Sequence, residues 1–340
     1  MAYKVVMTLF RYPGIPQDEG AYQKLGAQFL KAPCKTEEDI IQNAREADIV
    51  VTAMQPYSRR VIEALPRLRH ICVIGIGYEG VDVEAATERG VLVTNVPDYC
   101  LDEVSDHALA LLLALSRKLV RIHQAVREGK WDTMEKPHIR YNIMPGTQRL
   151  RGQTLGLVGF GRIARTLAPK ARALGLRLLA YDPYIPPKVA AELGAELVDL
   201  ERLLRESDFV SLHSAQTKEN RKLLGRKQFQ TMKPTAYLIN TARGGLVDEE
   251  ALVAALKEGL IAGVALDVTD PEPPRPDSPL FQMENVLLTA HTAQFSDQAM
   301  ADMRRKVEEN IFAVLRGEWP PGLLNPQAKE KYLERFGKRA

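Results

Sequence analysis

Residues 154–182, TLGLVGFGRIARTLAPKARALGLRLLAYD, contain the pattern that decides the fold. Thr154–Val158 is a short apolar run without polar alternation, which is typical of a parallel strand covered on both faces. Two glycines follow it, Arg162–Leu174 has the length of a full helix, and Leu176–Tyr181 is a second β-rich run that ends at Asp182. The stretch therefore predicts a strand, a glycine turn, a helix and a second, parallel strand.

The chain contains two glycine-rich turns of the kind that binds dinucleotide phosphates. Residues 75–80 match the GxGxxG pattern in full, whereas residues 159–164, GFGRIA, have alanine at the third glycine position. The context favours the second turn, because a dinucleotide site needs a full helix after the turn and an acidic residue after the next strand. Only a short helix fits after the first turn, and Val91–Asn95 then ends without a carboxylate. We therefore predict cofactor binding at Gly159 and Gly161, while the first turn offers backbone N–H groups to a substrate carboxylate.

Asp182 decides which dinucleotide we expect. Its carboxylate can accept hydrogen bonds from the adenosine ribose hydroxyls, and its charge would repel a 2′-phosphate. Pro183 and Tyr184 follow it, so no arginine stands there to pair with a phosphate. NAD is therefore predicted over NADP. The alternative is that Asp182 only caps the loop before Pro183.

Short β-rich runs alternate with helical patterns along the whole chain, which predicts the α/β class with βαβ units and parallel sheets. At 340 residues the chain is long enough for two such domains. The predicted strands are Lys4–Phe10, Asp48–Met54, His70–Ile74, Val91–Asn95, Thr154–Val158, Leu176–Tyr181, Phe209–Leu212, Ala236–Asn240, Ile261–Asp267 and Asn285–Thr289.

Two elements interrupt this alternation and mark the domain crossings. Apolar residues at helical spacing predict one long helix over Leu101–Arg127, and an irregular segment with Trp131 follows it. Ser296 begins a second amphipathic helix. We therefore expect residues 1–100 and 296–340 to form one domain and residues 101–295 to form the other.

Composition excludes several classes of protein. A net charge of +3, from 46 basic and 43 acidic side chains, without a basic stripe, indicates no nucleic-acid partner. The three cysteines lie far apart without ligand spacing, so we expect neither disulfides nor a metal site. The longest apolar stretch, Ala108–Leu115, is too short to span a membrane. The N-terminus lacks the features of a signal peptide, so a cytoplasmic location is expected.

Three charged residues follow predicted strands of the second half, where an α/β sheet places its ligands. Arg243 precedes two glycines that would let the backbone turn sharply beside a ligand, Glu272 lies between prolines, and His291 follows a strand. Reduction of a 2-keto acid needs a cation for the carboxylate and the keto oxygen, and a group that transfers a proton near neutral pH. It also needs a carboxylate to orient that group, as in the serine-protease triad. The spacing of the three residues alone leaves open whether they meet.

The stretch from Gly152 to Ala293 strongly resembles the NAD-binding domain of the D-isomer-specific 2-hydroxyacid dehydrogenases. Its first half agrees with that family as well, through Ile74-Gly75-Ile76-Gly77 and Val81-Asp82. The motifs of the second half that carry the resemblance are TLGLVGFGRI at 154–163, YDP at 181–183, NTARGGLVD at 240–248, ALDV at 265–268, PEP at 271–273 and LTAH at 288–291.

The resemblance implies two Rossmann-like, doubly wound domains around a cleft and a homodimer formed through the 101–127 helix and the segment after it. Arg243 would bind and polarise the substrate, Glu272 would support the histidine, and His291 would be the acid and base. Ile76 and Gly77 would face the substrate. Further cofactor contacts, beyond the two turn glycines, are implied for Arg162, Ile163, Asp182, His213, Ser214, Thr241, Ala242, Arg243, Asp267 and His291.

The implied reaction is hydride transfer between nicotinamide and C2 of a small D-2-hydroxy acid, with glyoxylate, hydroxypyruvate or 3-phosphohydroxypyruvate as keto partner. Within the family, residues 291–299 are nearest to the branch that contains the C-terminal binding proteins, which are NAD-regulated corepressors. Gln294 stands where those proteins have an aromatic residue in the substrate pocket, so the pocket here differs from theirs. An NAD(H)-sensing binding protein with little turnover is the alternative function.

Overall fold

The computed structural model describes residues 2–9 and 14–337, and the chain in it divides into two compact units. Unit 1 comprises Met1–Tyr99 and Ser296–Ala340, and unit 2 comprises Cys100–Phe295. Each unit has its own parallel sheet with helices around it. The predicted α/β class with two doubly wound sheets is therefore confirmed.

Unit 1 contains a five-stranded sheet in which neighbouring strands pair in parallel. The strand order, given in the chain numbering that follows, is β2-β1-β3-β4-β5, so the order reverses between β1 and β3. The strands are β1 (Tyr3–Met7), β2 (Ala27–Lys31), β3 (Ile49–Thr52), β4 (His70–Val73) and β5 (Leu92–Thr94).

Unit 2 contains a seven-stranded parallel sheet. The strands are β6 (Thr154–Val158), β7 (Arg177–Tyr181), β8 (Ala195–Leu197), β9 (Phe209–Leu212), β10 (Tyr237–Asn240), β11 (Gly263–Leu266) and β12 (Val286–Leu288). Their order is β12-β11-β10-β9-β6-β7-β8, so the order reverses between β6 and β9. A doubly wound sheet binds its ligand at this reversal, outside the carboxyl ends of the strands.

Helices connect the strands of both sheets. In chain order they are α1 (Glu19–Lys24), α2 (Glu37–Asn43), α3 (Arg59–Ala64), α4 (Val83–Glu88), α5 (Leu101–Ser116), α6 (Leu119–Arg127), α7 (Arg162–Ala173), α8 (Pro187–Glu192), α9 (Leu200–Glu206), α10 (Arg226–Thr231), α11 (Glu249–Lys257), α12 (Asp297–Leu315) and α13 (Lys329–Phe336). The predicted start of α12 is confirmed, since the Ser296 hydroxyl caps this helix, and the Thr36 hydroxyl caps α2 in the same way.

Both faces of the sheet in unit 2 are covered, which explains why its strands lack polar alternation. Leu155 and Leu157 of β6 pack into one buried cluster, with Leu111 and Leu112 of α5. Val158 packs into a second cluster on the opposite face. Successive residues of a strand point to opposite faces, so an unbroken apolar run is what a two-sided core requires.

The single long helix predicted over residues 101–127 is wrong, because the structure has two helices there, α5 and α6. Lys118, between them, adopts the left-handed conformation with φ of 52°. Its ammonium group donates to the carbonyl oxygens of Ile143 at 2.8 Å and Pro145 at 2.6 Å. The lysine therefore ties the segment that follows α6 to the break between the helices.

Candidate active site

The glycine turn after β6 is built for close approach at both glycines, but for different reasons. Gly159 has φ of +87°, and a Cβ on it would lie 2.5 Å from the Ser214 Oγ, so the protein itself requires glycine there. A Cβ on Gly161 would meet no described protein atom within 4 Å. Gly161 precedes α7, whose first N–H groups receive no side-chain cap from it. Open space before an uncapped helix N-terminus is what a pyrophosphate needs.

Asp182 closes the turn and also leaves room for a ligand. Its Oδ2 accepts a hydrogen bond from the Phe160 N–H at 2.9 Å, and its Oδ1 accepts one from the Tyr184 N–H at 2.9 Å. The predicted loop cap is therefore present. Each carboxylate oxygen can accept a further hydrogen bond, and the residue is partly exposed. The cap and the predicted ribose contact are compatible, and the latter stays a prediction.

The ends of β9 and β10, next to the reversal of the sheet, carry three more of the predicted cofactor residues. The His213 Nε2 lies 2.9 Å from the Ser211 Oγ, and burial lowers the pKa of His213 to about 4, so the ring is neutral at pH 7. The Ser214 Oγ donates to the Val158 carbonyl at 3.1 Å. The Thr241 Oγ1 is buried without a hydrogen-bond partner in the described part of the chain. An unpaired buried hydroxyl is costly, and a bound ligand would satisfy it.

These groups fit a dinucleotide. The open space at Gly161 suits a pyrophosphate, the Asp182 carboxylate suits a ribose, and the Thr241 hydroxyl lacks a partner. Arg162 is exposed at the first position of α7, Ile163 is partly buried beside it, and Ala242 is partly buried after Thr241. All of these positions lie at the carboxyl ends of β6, β7 and β10 or in the turns that follow them.

Arg243 lies on a loop that packs directly on the loop leading to Glu272. A Cβ on Gly244 would lie 2.0 Å from the backbone carbonyl of Thr269, so only glycine allows the two loops to touch. A Cβ on Gly245 would overlap the side-chain amide of Gln216 in the same way. Neither glycine has a positive φ in the structure. The chain does turn tightly there, in the short 3₁₀ helix Gly244–Leu246, and glycine is needed at both positions because protein loops approach each other. A ligand beside this turn stays a prediction.

The structure brings Glu272 and His291 together. The His291 Nδ1 lies 2.5 Å from the Glu272 Oε1, with about one third of each side chain exposed. His291 is one of the described non-glycine residues with positive φ, at 53°. This conformation costs a residue with a Cβ about 1–2 kcal/mol, so the surrounding contacts must hold it. The contact also assigns Nδ1 as the donor to a carboxylate, which leaves Nε2 for proton transfer.

Asp267 holds the backbone of the loop that carries His291. The carboxylate is almost fully buried, with 2% of the residue exposed. Its Oδ1 accepts from the Thr292 N–H at 3.0 Å, its Oδ2 accepts from the Ala293 N–H at 3.0 Å, and its carbonyl accepts from the His291 N–H at 2.8 Å. The sequence did not indicate this role, and the cofactor contact implied for Asp267 stays a prediction.

Of the remaining predicted substrate residues, two belong to unit 1 and one belongs to unit 2. Ile76 and Gly77 belong to unit 1, in the turn after β4, where the Asn95 Nδ2 donates to the Ile76 carbonyl at 2.7 Å. This turn does not follow β1 or β3, between which the sheet of unit 1 reverses, and α4 after it has only six residues. Gln294 belongs to unit 2 and is partly exposed three positions beyond His291.

The domain model described as D-isomer specific 2-hydroxyacid dehydrogenase, NAD binding domain, matches residues 109–293. The chain belongs to the D-isomer-specific 2-hydroxyacid dehydrogenase family. It is 43% identical over 289 residues to a glyoxylate reductase of Korarchaeum cryptofilum. The matched stretch covers 85% of this chain and 86% of the relative.

Two further proteins show how widely members of this family differ. A D-3-phosphoglycerate dehydrogenase of Methanocaldococcus jannaschii is 39% identical over 300 residues, covering 86% of this chain and 55% of the relative. The crystal structure of a glyoxylate reductase from Paecilomyes thermophila superposes with a TM-score of 0.84 at 26% identity, covering 96% of this chain and 99% of that one.

Membership in the D-2-hydroxyacid dehydrogenase family confirms the predicted enzyme class, an NAD-dependent oxidoreductase acting on 2-hydroxy acids, and the predicted cofactor, NAD. The alternative function, a corepressor-like NAD(H) sensor, is not favoured, since these relatives carry the names of enzymes. In residues 2–9 and 14–337 no helix is long and apolar enough to cross a membrane. The same residues contain no group of three or more metal-ligating side chains.

Proposed function

We propose that this dehydrogenase acts on glyoxylate and hydroxypyruvate, with Arg243, Glu272 and His291 as its catalytic residues. The observation that carries the proposal is the 2.5 Å contact between the His291 Nδ1 and the Glu272 Oε1. Through Gly244, the loop of Arg243 packs on the loop that leads to Glu272. A cation and an oriented imidazole on adjoining loops are what reduction of a 2-keto acid requires.

Each of the three residues has a separate task. The Arg243 guanidinium binds the substrate carboxylate and polarises the keto oxygen with its forked donors. Glu272 accepts the Nδ1 proton of His291 in a hydrogen bond and stabilises the imidazolium form. In reduction the His291 Nε2 donates a proton to the developing alkoxide, and in oxidation it accepts the hydroxyl proton. NAD, when bound, takes up the hydride from C2 of the substrate, and NADH supplies it.

The cofactor would be held by groups of unit 2 alone. The backbone around Gly161 and the first turn of α7 would bind the pyrophosphate, with Arg162 beside it. Asp182 would accept from the ribose hydroxyls, and the Thr241 hydroxyl would gain a partner. Asp267 would act on the cofactor site indirectly, by holding the backbone of the loop that carries His291.

The absence of a phosphate partner in the predicted substrate turn favours substrates without a phosphate group. Residues 74–81 contain neither arginine nor lysine, and Glu79 adds a negative charge. Gln294 is uncharged as well. A phosphate on C3 of the substrate would need cationic donors. The relatives named glyoxylate reductase point to the same choice.

Turnover of NADH against a panel of 2-keto acids tests the proposal. Glyoxylate and hydroxypyruvate should be reduced, and kcat/KM for 3-phosphohydroxypyruvate should be at least about tenfold lower, the value of one lost charge-assisted contact. His291→Ala should abolish turnover. A preference for the phosphorylated acid would overturn the substrate choice. Tight NADH binding without turnover of any compound would instead support the alternative function, an NAD(H)-sensing binding protein.

We also propose a homodimer formed through α6 and the segment that follows it. Trp131, Met134 and Tyr141 expose 69%, 99% and 67% of their surface, and Leu119 and Val120 of α6 expose 53% each. Large exposed apolar side chains that cluster in sequence are typical of an interface. Trp131→Ser combined with Met134→Ser should yield monomers in light scattering, and Tyr184→Ser, an exposed aromatic outside this segment, should not. A cytoplasmic location is proposed as well, because the three cysteines are buried thiols that form no disulfide.

A further inference from the structure

A chain of hydrogen bonds runs from helix α5 to the loop that carries His291, through residues that the reaction does not use. We propose that His107 is a positioning residue for His291 and acts through the Thr289 hydroxyl and the Asp267 carboxylate. The inference rests on the proposed catalytic role of His291, but it assigns a task to His107, which lies in no motif above, and to Thr289, whose side chain has no task in the mechanism above.

The first link is the convergence of three consecutive N–H groups on one residue. The amides of His291, Thr292 and Ala293 all donate to Asp267, the first to its carbonyl and the other two to its carboxylate. This arrangement holds His291 in its left-handed conformation, with φ of 53°. The orientation of the imidazole toward Glu272 therefore depends on where the Asp267 carboxylate lies.

The second link is the Thr289 hydroxyl, and its protons can be assigned. The Thr289 Oγ1 lies 2.6 Å from the Asp267 Oδ1, and an ionised carboxylate only accepts, so the single hydroxyl proton points to Asp267. The His107 Nε2 lies 3.1 Å from the same Oγ1. With its proton committed, the hydroxyl can only accept from the ring, so Nε2 of His107 carries a proton and donates it.

The third link is the support that α5 gives to His107. The helix has 16 residues and buries Leu111, Leu112 and Leu115 against the sheet of unit 2. The His107 side chain is 25% exposed, and its Nε2 also lies 3.7 Å from the Asp267 Oδ1. A donor on a packed helix thus fixes the Thr289 rotamer, which fixes the carboxylate, which fixes the loop of His291.

Paired substitutions separate the hydrogen bond from side-chain size. Thr289→Val keeps the shape and loses the hydroxyl, and Thr289→Ser keeps the hydroxyl. His107→Phe keeps a ring without the donor, and His107→Gln restores an N–H near the position of Nε2. We expect Thr289→Val and His107→Phe each to lower kcat by about tenfold, which is part of the 10²–10⁴ that an acid–base group supplies. NADH binding and Tm should stay close to those of the unaltered enzyme. The kcat of Thr289→Ser and of His107→Gln should lie within about threefold of that of the unaltered enzyme.

The double variant gives the decisive comparison. Since the two residues act along one path, His107→Phe combined with Thr289→Val should be no slower than Thr289→Val alone. Multiplied effects, or a weakened NADH affinity in the single variants, would overturn the proposal, as would failure of Ser and Gln to restore kcat. The His291→Ala variant separates this proposal from the proposed function. If it retained turnover, the catalytic assignment would fail whatever the His107 and Thr289 variants did.

Discussion

At the scale of single residues, Asp182 combines two tasks in one carboxylate. Each oxygen already accepts one backbone N–H, which ties the residue after β7 to the glycine turn after β6. No arginine follows Asp182 directly, because Pro183 and Tyr184 come next. A negative charge at this point favours a ribose hydroxyl and opposes a 2′-phosphate.

Asp182→Ala should therefore weaken NADH more than NADPH. The Kd for NADH should rise by about tenfold, the value of one hydrogen bond to a charged group, and the Kd for NADPH should stay equal or fall. Titration of each cofactor by protein fluorescence measures both. Because the carboxylate also caps the turn, Asp182→Asn serves as the control: the asparagine keeps an oxygen that can accept from the turn but has no negative charge. An unchanged ratio of the two affinities would contradict the assigned role.

The contact between Glu272 and His291 makes a sharp prediction, because a carboxylate and an amide differ in charge but not in shape. Glu272→Gln should reduce kcat by about 100-fold, the lower end of acid–base contributions, since a neutral amide does not stabilise the imidazolium. NADH binding should be unchanged in the same variant. Glu250→Gln, at an exposed acidic residue of α11, is the matched control. Loss of cofactor affinity in Glu272→Gln would instead mean a structural role.

The roles of His107 and Thr289 show what single-residue inference from sequence misses. Arg243, Glu272 and His291 could be proposed from the sequence because each chemical task selects a residue type, each follows a predicted strand and each lies in a motif of the family. The hydrogen bond between His107 and Thr289 joins residues 182 positions apart. A histidine on a helix and a threonine after a strand carry no local signal of that contact. Only the packing of α5 on the sheet brings them together.

At the scale of secondary structure, every interior strand of the two sheets could be predicted, whereas two of the four edge strands could not. Ten of the strands were found from apolar runs, which a strand covered on both faces requires. The missed strands, β2 and β8, lie at the edges of their sheets. β2 exposes Gln28 and Lys31, and β8 exposes Glu196. Polar residues are ordinary on an edge strand, so the apolar signal is lost in β2 and β8, whereas the edge strands β5 and β12 are apolar and keep it.

The break between α5 and α6 was missed for a related reason. Periodicity continues across Lys118, and no glycine or proline marks the left-handed residue. Lys118 is held in this conformation by hydrogen bonds from its ammonium group to the carbonyl oxygens of Ile143 and Pro145, which are distant in sequence. Local propensity therefore predicted a continuous helix, and a tertiary contact decided otherwise.

Gly244 is where two loops of the active site touch, so its substitution tests how the elements are joined. In Gly244→Ala the new Cβ would overlap the backbone of Thr269, and the loops must separate. We expect the free energy of unfolding to fall by about 1–3 kcal/mol, as in other overpacked sites, and kcat/KM to fall as Arg243 moves. Chemical denaturation and steady-state kinetics measure the two effects.

Gly225→Ala is the matched control for Gly244→Ala. Its Cβ would come no closer than 3.6 Å to a described atom, the Oε1 of Gln228, and its φ is not positive. This variant should be close to neutral in both measurements. If Gly244→Ala behaved the same way, the contact between the two loops would not matter for their arrangement.

At the scale of the whole molecule, stability should depend on pH through a histidine that takes no part in the reaction. His70 is fully buried in β4, with its Nε2 2.8 Å from the Thr94 Oγ1 on β5 and its Nδ1 without a partner in the described part of the chain. An imidazolium has two donors, and one of them would find no acceptor. Burial therefore lowers the pKa of His70 from 6.5 to about 3.

The sign of the effect follows from this lowered pKa. Between pH 6.5 and about 3 the unfolded chain binds a proton at His70 that the folded chain does not, so stability is full above pH 6.5 and falls as the pH drops through this range. Tm should therefore decrease between pH 7 and pH 5, and His70→Gln, which cannot be protonated, should lose less Tm over the same interval. An identical loss of Tm in both proteins would mean that other groups, such as His213, carry the acid sensitivity.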